Sequence, residues 1–230
     1  MCGRVKMDPY IHITEHKKGL KLSGFISINT SQKLNPFCRA QCKNEGSVCG
    51  HCYAGDMETT YTRLKIHLQK NYYRLSQPLT DLQIKETCRA IQESNRAYIR
   101  FNSLGELTGI NNLMNYYRIC EELPDLHFGL WTKRPALIRK TNRAPDNLSI
   151  IWSNPTLDHP VEKVPAGFHG VFNVITYEHA YNAGIIPNCT GQCIRCLKCY
   201  RQDPGIVNEL LKKDQTNIRK GFLKPLEEAI

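Results

Sequence analysis

Eight of the eleven cysteines in this chain stand in two tight groups, Cys38, Cys42, Cys49 and Cys52, then Cys189, Cys193, Cys196 and Cys199. An odd total fits poorly with a fully paired disulfide framework. Free thiolates with two, three or six residues between neighbours can instead converge on a soft metal centre, either zinc or an iron–sulfur cluster. Any fold for this chain must therefore bring each quartet to a metal. Cys2, Cys88 and Cys120 stand alone, the last two within helical patterns, and read as core or surface filler.

The rest of the composition is that of an ordinary globular protein. At 230 residues, 41% hydrophobic and 23% charged, the chain can bury roughly 70% of the surface it exposes when unfolded. No apolar run approaches the roughly 18 residues of a membrane span, and the first 21 residues hold no signal-peptide hydrophobic region. A soluble, cytoplasmic protein is expected, with no membrane contact.

Lys and Arg outnumber Asp and Glu by 31 to 21, for a net charge of +10. Basic residues gather at Arg63, Lys65, Lys70 and Arg74, at Lys133, Arg134, Arg139, Lys140 and Arg143, and along 212–224. Such patches can hold phosphate or nucleic acid, or can simply be solvated helix faces.

Periodicity predicts strands over 20–29, 97–102, 126–132, 148–153 and 170–176. Helices are expected over 57–75, over 80–93 with Thr80 as N-cap behind Pro78, over 110–122 closed by Pro124, and over 135–140. The later strands are apolar on both faces and mostly separated by helices, the signature of parallel strands covered on both sides. Pro155, Pro160 and Pro165 allow no helix in the segment between the last two of these strands, so one crossover is abbreviated. The expected fold is α/β, a single domain built as a partial or open (β/α) barrel of mostly parallel strands with Cys-rich metal-binding loops. Its core spans about 20–180, a four-Cys metal-binding segment about 185–204 and a helical tail about 205–230.

Polar residues follow the strands: Asn102, Ser103, Gly105 and Glu106; Lys133 and Arg134; Ser153 and Asn154; Glu178 and His179. Ligand sites in parallel sheets lie at these C-terminal strand ends, so the loops should share one mouth with the first quartet. Ser153 and Asn154 can bind a ribose hydroxyl or serve as turn residues before Pro155.

A cysteine loop after the first strand, and Leu104-Gly105-Glu106-Leu107 after the second, resemble the cluster loop and Gly-Gly-Glu motif of radical S-adenosylmethionine enzymes. Several strings together resemble the phage gene-product-eighty-eight family over about 20–208: Asn35-Pro36-Phe37-Cys38, Cys49-x2-Cys52-Tyr53, Tyr98-Ile99-Arg100-Phe101-Asn102-Ser103-Leu104-Gly105-Glu106, Leu130-Trp131-Thr132-Lys133-Arg134, and the last quartet with Tyr200.

The radical-enzyme resemblance implies a 4Fe-4S cluster held by three thiolates, with one iron open to S-adenosylmethionine, and Glu106 accepting from that ligand's amino group. It names no catalytic residue and no substrate. The first loop departs from the enzymes' spacing: residues 43–48 intervene, a fourth cysteine is present, and Leu104 replaces one glycine. Four thiolates on one cluster would close the site. With one spare, Cys42, Cys49 and Cys52 are the natural trio.

The last quartet resembles the auxiliary-cluster cysteines of radical enzymes, with zinc the competing metal. Pairs shared between quartets, Cys49 and Cys52 with Cys196 and Cys199, are a further arrangement. Two functions follow from these readings. One is a phage-type iron–sulfur protein resembling a radical S-adenosylmethionine enzyme, in the host cytoplasm. The other is a zinc-stabilised, basic nucleic-acid-binding or host-interaction protein without catalysis.

Overall fold

A computed structural model describes residues 9–226; Cys2 and the end of the expected tail fall outside them. The strands are β1 (Thr14–Glu15), β2 (Ile26–Ile28), β3 (Tyr98–Phe101), β4 (His127–Thr132), β5 (Leu148–Ser153), β6 (Gly170–Ile175) and β7 (Gly205–Leu210). They form one sheet in sequential order, with β1 antiparallel to β2 and every later pair parallel. The sheet is open, its edges being β1 and β7.

Sequential order has a physical consequence. Right-handed crossovers that all step in one direction place their helices on one face of the sheet. Helices α4 (Asp81–Glu93) and α5 (Ile110–Glu122) occupy that face, where Ile84, Ile91, Leu113, Tyr116 and Ile119 join Ile26, Ile28, Ile99, Phe101, Phe128, Leu130, Leu148 and Ile150 in the main core. Phe101 stacks on Tyr116 at 3.9 Å. Thr80 caps α4 through a complete capping box with Gln83, as its sequence position predicts.

The alternate residues of the strands face the other way. Phe25, Trp131 and Ile151 meet Tyr200, with Tyr98, Phe172, Cys193, Leu197 and Cys199 packed around them. The second quartet therefore rides on a segment that covers the sheet's second face. At Gly129 a Cβ would fall 2.7 Å from the Trp131 ring and 2.9 Å from Tyr200, so the close approach of those rings requires glycine there.

Three expectations are corrected. The strand over 20–29 shortens to Ile26–Ile28, because residues 20–25 form turns with Gly24 at φ +86. The helix over 57–75 becomes α2 (Tyr53–Thr60) and α3 (Thr62–Leu75). Thr59 and Thr60 turn their hydroxyls back to the carbonyls of Gly55 and Asp56, and Tyr61 adopts an extended backbone between the two helices, as β-branched residues competing for backbone bonds favour. The tail expected to be helical from about 205 opens with β7, whose full register with β6 runs from Gly170↔Gly205 to Ile175↔Leu210, and the helix α9 (Lys212–Arg219) follows it. The two-residue β1 was not expected.

His16 of the chain beside β1 bonds the Ser27 hydroxyl at 2.6 Å. Burial, helped by the Arg100 charge, lowers its pKa to about 4. The fold thus requires neutral imidazole, while the unfolded chain takes up a proton below about pH 6.5. Stability is expected to fall as pH drops from about 6.5 to about 4, by about 1–2 kcal/mol after discounting for solvent screening. Urea midpoints across that range check this, and His16→Gln should flatten the dependence.

Candidate functional site

The C-terminal ends of β2 to β5 are laced together by buried polar side chains. Asn29 accepts from the Ser103 hydroxyl at 2.7 Å and from the Leu104 amide at 3.0 Å. Thr30 donates to the Glu106 carbonyl at 2.9 Å. Asn35 donates to the carbonyls of Glu106 and Leu107 at 3.1 Å each, and its oxygen caps α1 (Pro36–Cys42) at the Phe37 amide. Helix α1, which carries Cys38 and Cys42, is thereby tied to the loop after β3.

Gly105 sits in that loop at φ +82, where a Cβ would lie 2.2 Å from the Thr30 carbonyl oxygen. Next to it the Glu106 carboxylate accepts from the Leu107 amide, the Thr132 hydroxyl and the Lys133 amide, each at 2.7 Å. A carboxylate offers about four acceptor positions, so one on Oε2 remains. The Lys133 ammonium reaches Ser153 at 3.0 Å and acts electrostatically on Cys38, Cys42 and Cys52. Gly105, Glu106, Lys133, Ser153 and the first quartet share one mouth.

Within that quartet a single amide spans two thiols. Gln32 donates to the Cys42 sulfur at 3.1 Å and accepts from the Cys52 thiol at 3.6 Å. Buried Glu58 of α2 fixes this residue by accepting from the amides of Gln32 and Lys33 and from the Ser31 hydroxyl. Residues 46–49 are pinned to the loop after β5 by Val48 to Pro155 at 2.8 Å and Leu157 to Gly46 at 3.0 Å. Cys38 lies buried on α1, and its thiol pKa is pushed well up by burial, then by the Glu106 and Cys49 charges. Burial likewise raises Cys42 and Cys52. The thiols that act on Cys38, Cys42 and Cys52 are members of their own group, not the last quartet.

The second quartet is built differently. Cys189 donates its thiol to Glu209 at 3.7 Å and its amide to the Asn208 carbonyl at 3.2 Å. Cys193 and Cys196 bound the single turn α8 (Cys193–Cys196), and Leu197 at φ +52 reverses the chain toward Cys199. Burial lifts the thiols of Cys189 and Cys193, and that of Cys199 to about 12, while the charges of Lys21 and Arg100 oppose it. Lys21 pairs with the Glu209 carboxylate.

Arg100 has its guanidinium carbon 3.6 Å from the Trp131 ring centroid, and among the described residues its buried Nε has no hydrogen-bond partner. Trp131 Nε1 and the Tyr200 hydroxyl are buried and unpartnered in the same way, with the two rings 5.7 Å apart. Three orphaned donors thus collect beside the thiols of Cys193 and Cys199.

As the side chains stand, no three His, Cys, Asp or Glu residues among those described are grouped so as to hold a metal ion. Asn154 is spent on turn chemistry: its oxygen accepts from the Thr156 amide at 3.1 Å and its amide donates to His159 and Asn173. Glu178 lies on α7 (Tyr177–Asn182), whose N-cap Thr176 accepts from His179. Sequence spacing gave no sign of Gln32, Glu58, Lys21 or Glu209. Arg100 carried one, as a lone charge in an otherwise apolar strand.

No curated protein and no solved structure matches the chain. No helix among the described residues is long and apolar enough to cross a membrane. The sequence pattern of the family described as gene product 88 matches residues 13–223, a span that holds both quartets and the whole seven-stranded sheet, and the chain belongs to that phage family.

Proposed function

We propose that this is an iron–sulfur protein of radical S-adenosylmethionine type, its open sheet a partial βα barrel with one cluster at the mouth and a second on the inner face. The observation that carries the reading is the set of buried donors on Arg100, Trp131 and Tyr200 that lack acceptors. Buried orphan donors are rare and costly. An anionic cluster on Cys189, Cys193, Cys196 and Cys199 would supply thiolate and sulfide acceptors there, and Arg100 and Lys21 would offset its charge. Zinc on the same four thiolates is the competing metal.

At the mouth, the residues that would hold a cluster are Cys42, Cys49 and Cys52. Gln32 already spans the outer two, and Cys49 is the thiol that acts on both. Cys38, sunk against the Glu106 loop, is the spare. A cluster bound by three thiolates supplies an electron to S-adenosylmethionine at its open iron. The chain's own part is to bind and orient. The free position of Glu106 Oε2 accepts from an ammonium, and Lys133, steadied by Ser153, sets a cation against the thiolates.

The test is anaerobic, reconstituted protein reduced with dithionite in the presence of S-adenosylmethionine. Methionine and 5′-deoxyadenosine are expected as products. Cys38→Ala should keep mouth iron and cleavage, while Cys49→Ala or Cys52→Ala should lose both. Equal iron loss in all three variants would mean a closed four-thiolate site, and a fully loaded protein that leaves the sulfonium intact would refute the catalytic reading.

A further inference from the structure

Beside the second quartet lies a cavity of about 810 Å³ between residues 19–21, the loop carrying Cys189, and α9. Lys21, Arg195, Lys212 and Arg219 line it, and no acidic residue does among those described. The nearby Glu209 carboxylate is buried and already paired with Lys21. Among the described residues Arg195 and Arg219 thus face a concave space with no carboxylate in its lining, beside Lys212, which the Glu209 charge also reaches, and against an apolar wall that includes Leu20, Ile194 and Ile218. Burial lowers the Lys212 pKa; the Glu209 charge opposes this, and the charges of Lys21 and Arg219 push it further down. Like charges held together in a cleft repel at close range, and a bound anion removes that repulsion.

Helix α9 is fixed in this place. Asp214 accepts from the Tyr177 amide at 2.8 Å, and Gln215 donates to the Leu210 carbonyl at 2.6 Å. The Lys212 ammonium also stands 5.5 Å over the ring of Tyr53, the residue after Cys52, so the cavity neighbours both quartets.

We infer that this cavity binds a phosphate ester, with Arg195, Lys212 and Arg219 on the phosphate and the apolar wall against the body of the ligand. Several cations, two of them guanidinium forks, match the multiple oxygens and charge of a phosphate better than one carboxylate. The volume is that of a site for a nucleotide-sized molecule. The same chemistry is offered by a free nucleotide and by a nucleic-acid strand, and the two are separable by experiment. The inference rests on the cluster reading only in needing the loop at 189–196 ordered.

Iron and sulfide are assayed on the same anaerobic sample used for binding, so that the two readings fail separately. Thymidine monophosphate is titrated by calorimetry, with thymidine and inorganic phosphate as controls, and fluorescein-labelled oligothymidine is followed by anisotropy. Saturable binding of the monophosphate with Kd below about 1 mM is expected, with none for thymidine. Lys212→Glu with Arg219→Glu should weaken it about tenfold or more. Lys213→Glu with Lys220→Glu makes the same charge change on α9 and its C-cap, outside the cavity lining, and should stay within about twofold. If the first pair does not fold, Lys212→Gln with Arg219→Gln carries the same expectation.

Comparable affinity for monophosphate and strand identifies a free-nucleotide site. Far tighter strand binding with a steep salt dependence identifies a nucleic-acid backbone site. Iron-loaded protein that binds neither, or equal losses in the two double variants, overturns the inference. Iron-free protein that still binds the monophosphate preserves it and removes the cluster reading instead.

Discussion

Cys199→Ala protein should lose the iron of its second centre and melt at least about ten degrees below wild type. Residues 189–201 contribute little apolar surface of their own. Their hold on the sheet is Tyr200, Leu197 and the cysteines themselves, packed on Phe25, Trp131 and Ile151. Their backbone bonds to the body are sparse, chiefly Cys193 to Lys21 and Cys189 to Asn208. A metal that ties four points of such a segment supplies folding free energy directly. Without it, Tyr200 and its neighbours leave Trp131, and a face of the sheet opens to water.

Cys196→Ala should behave alike, because one missing ligand is enough to lose the centre. Iron per chain, the thermal transition and a red shift of tryptophan emission read the three consequences together. An unchanged melting temperature in both variants would show that packing alone holds the segment.

The second large effect is expected from one methyl group. Gly105→Ala puts a Cβ 2.2 Å from the Thr30 carbonyl oxygen and 2.6 Å from the Thr30 hydroxyl, at a φ of +82 that an L side chain rarely adopts. Neither partner can retreat freely. Thr30 donates from its amide to Leu104 and from its hydroxyl to Glu106, so any shift strains bonds on both sides of the substituted residue. Left-handed strain and the clash together should cost about 3–5 kcal/mol.

Part of that loss would appear at the mouth. Glu106 is displaced from the Thr132 hydroxyl and Lys133 amide, and α1 loses the anchor that Asn35 provides. Gly109→Ala is the control, four residues along, with extended backbone and nothing within 4 Å of the added carbon. Denaturant midpoints should separate the two variants clearly. Equal midpoints would mean that the Thr30 turn yields at little cost.

Much of the framework was legible because it rests on local signals. The boundaries of α5 and β5 follow from a Pro after the helix and from a short, mostly apolar run, and Thr80 with Gln83 spells out its own cap. The two quartets stand out as clusters of sequence because their members are close along the chain. What escaped was decided by partners far along the chain. Strand β7 is a strand because β6 offers it a paired edge, and nothing in 205–210 states that alone. The pair of Lys21 with Glu209 spans 188 positions, and Gln32 becomes a bridge between thiols only once Glu58 has fixed its turn. Asn154 was open between ribose and turn; Thr156, two residues on, occupies its oxygen.

Both quartets are expected to carry iron and inorganic sulfide. Metal and acid-labile sulfide analysis of one anaerobically purified sample tests it most directly. The expected result is coloured protein with iron and sulfide in near-equal amounts, enough for a cluster at each quartet and with little zinc. Colourless protein holding about two zinc ions per chain, or no bound metal, would contradict it.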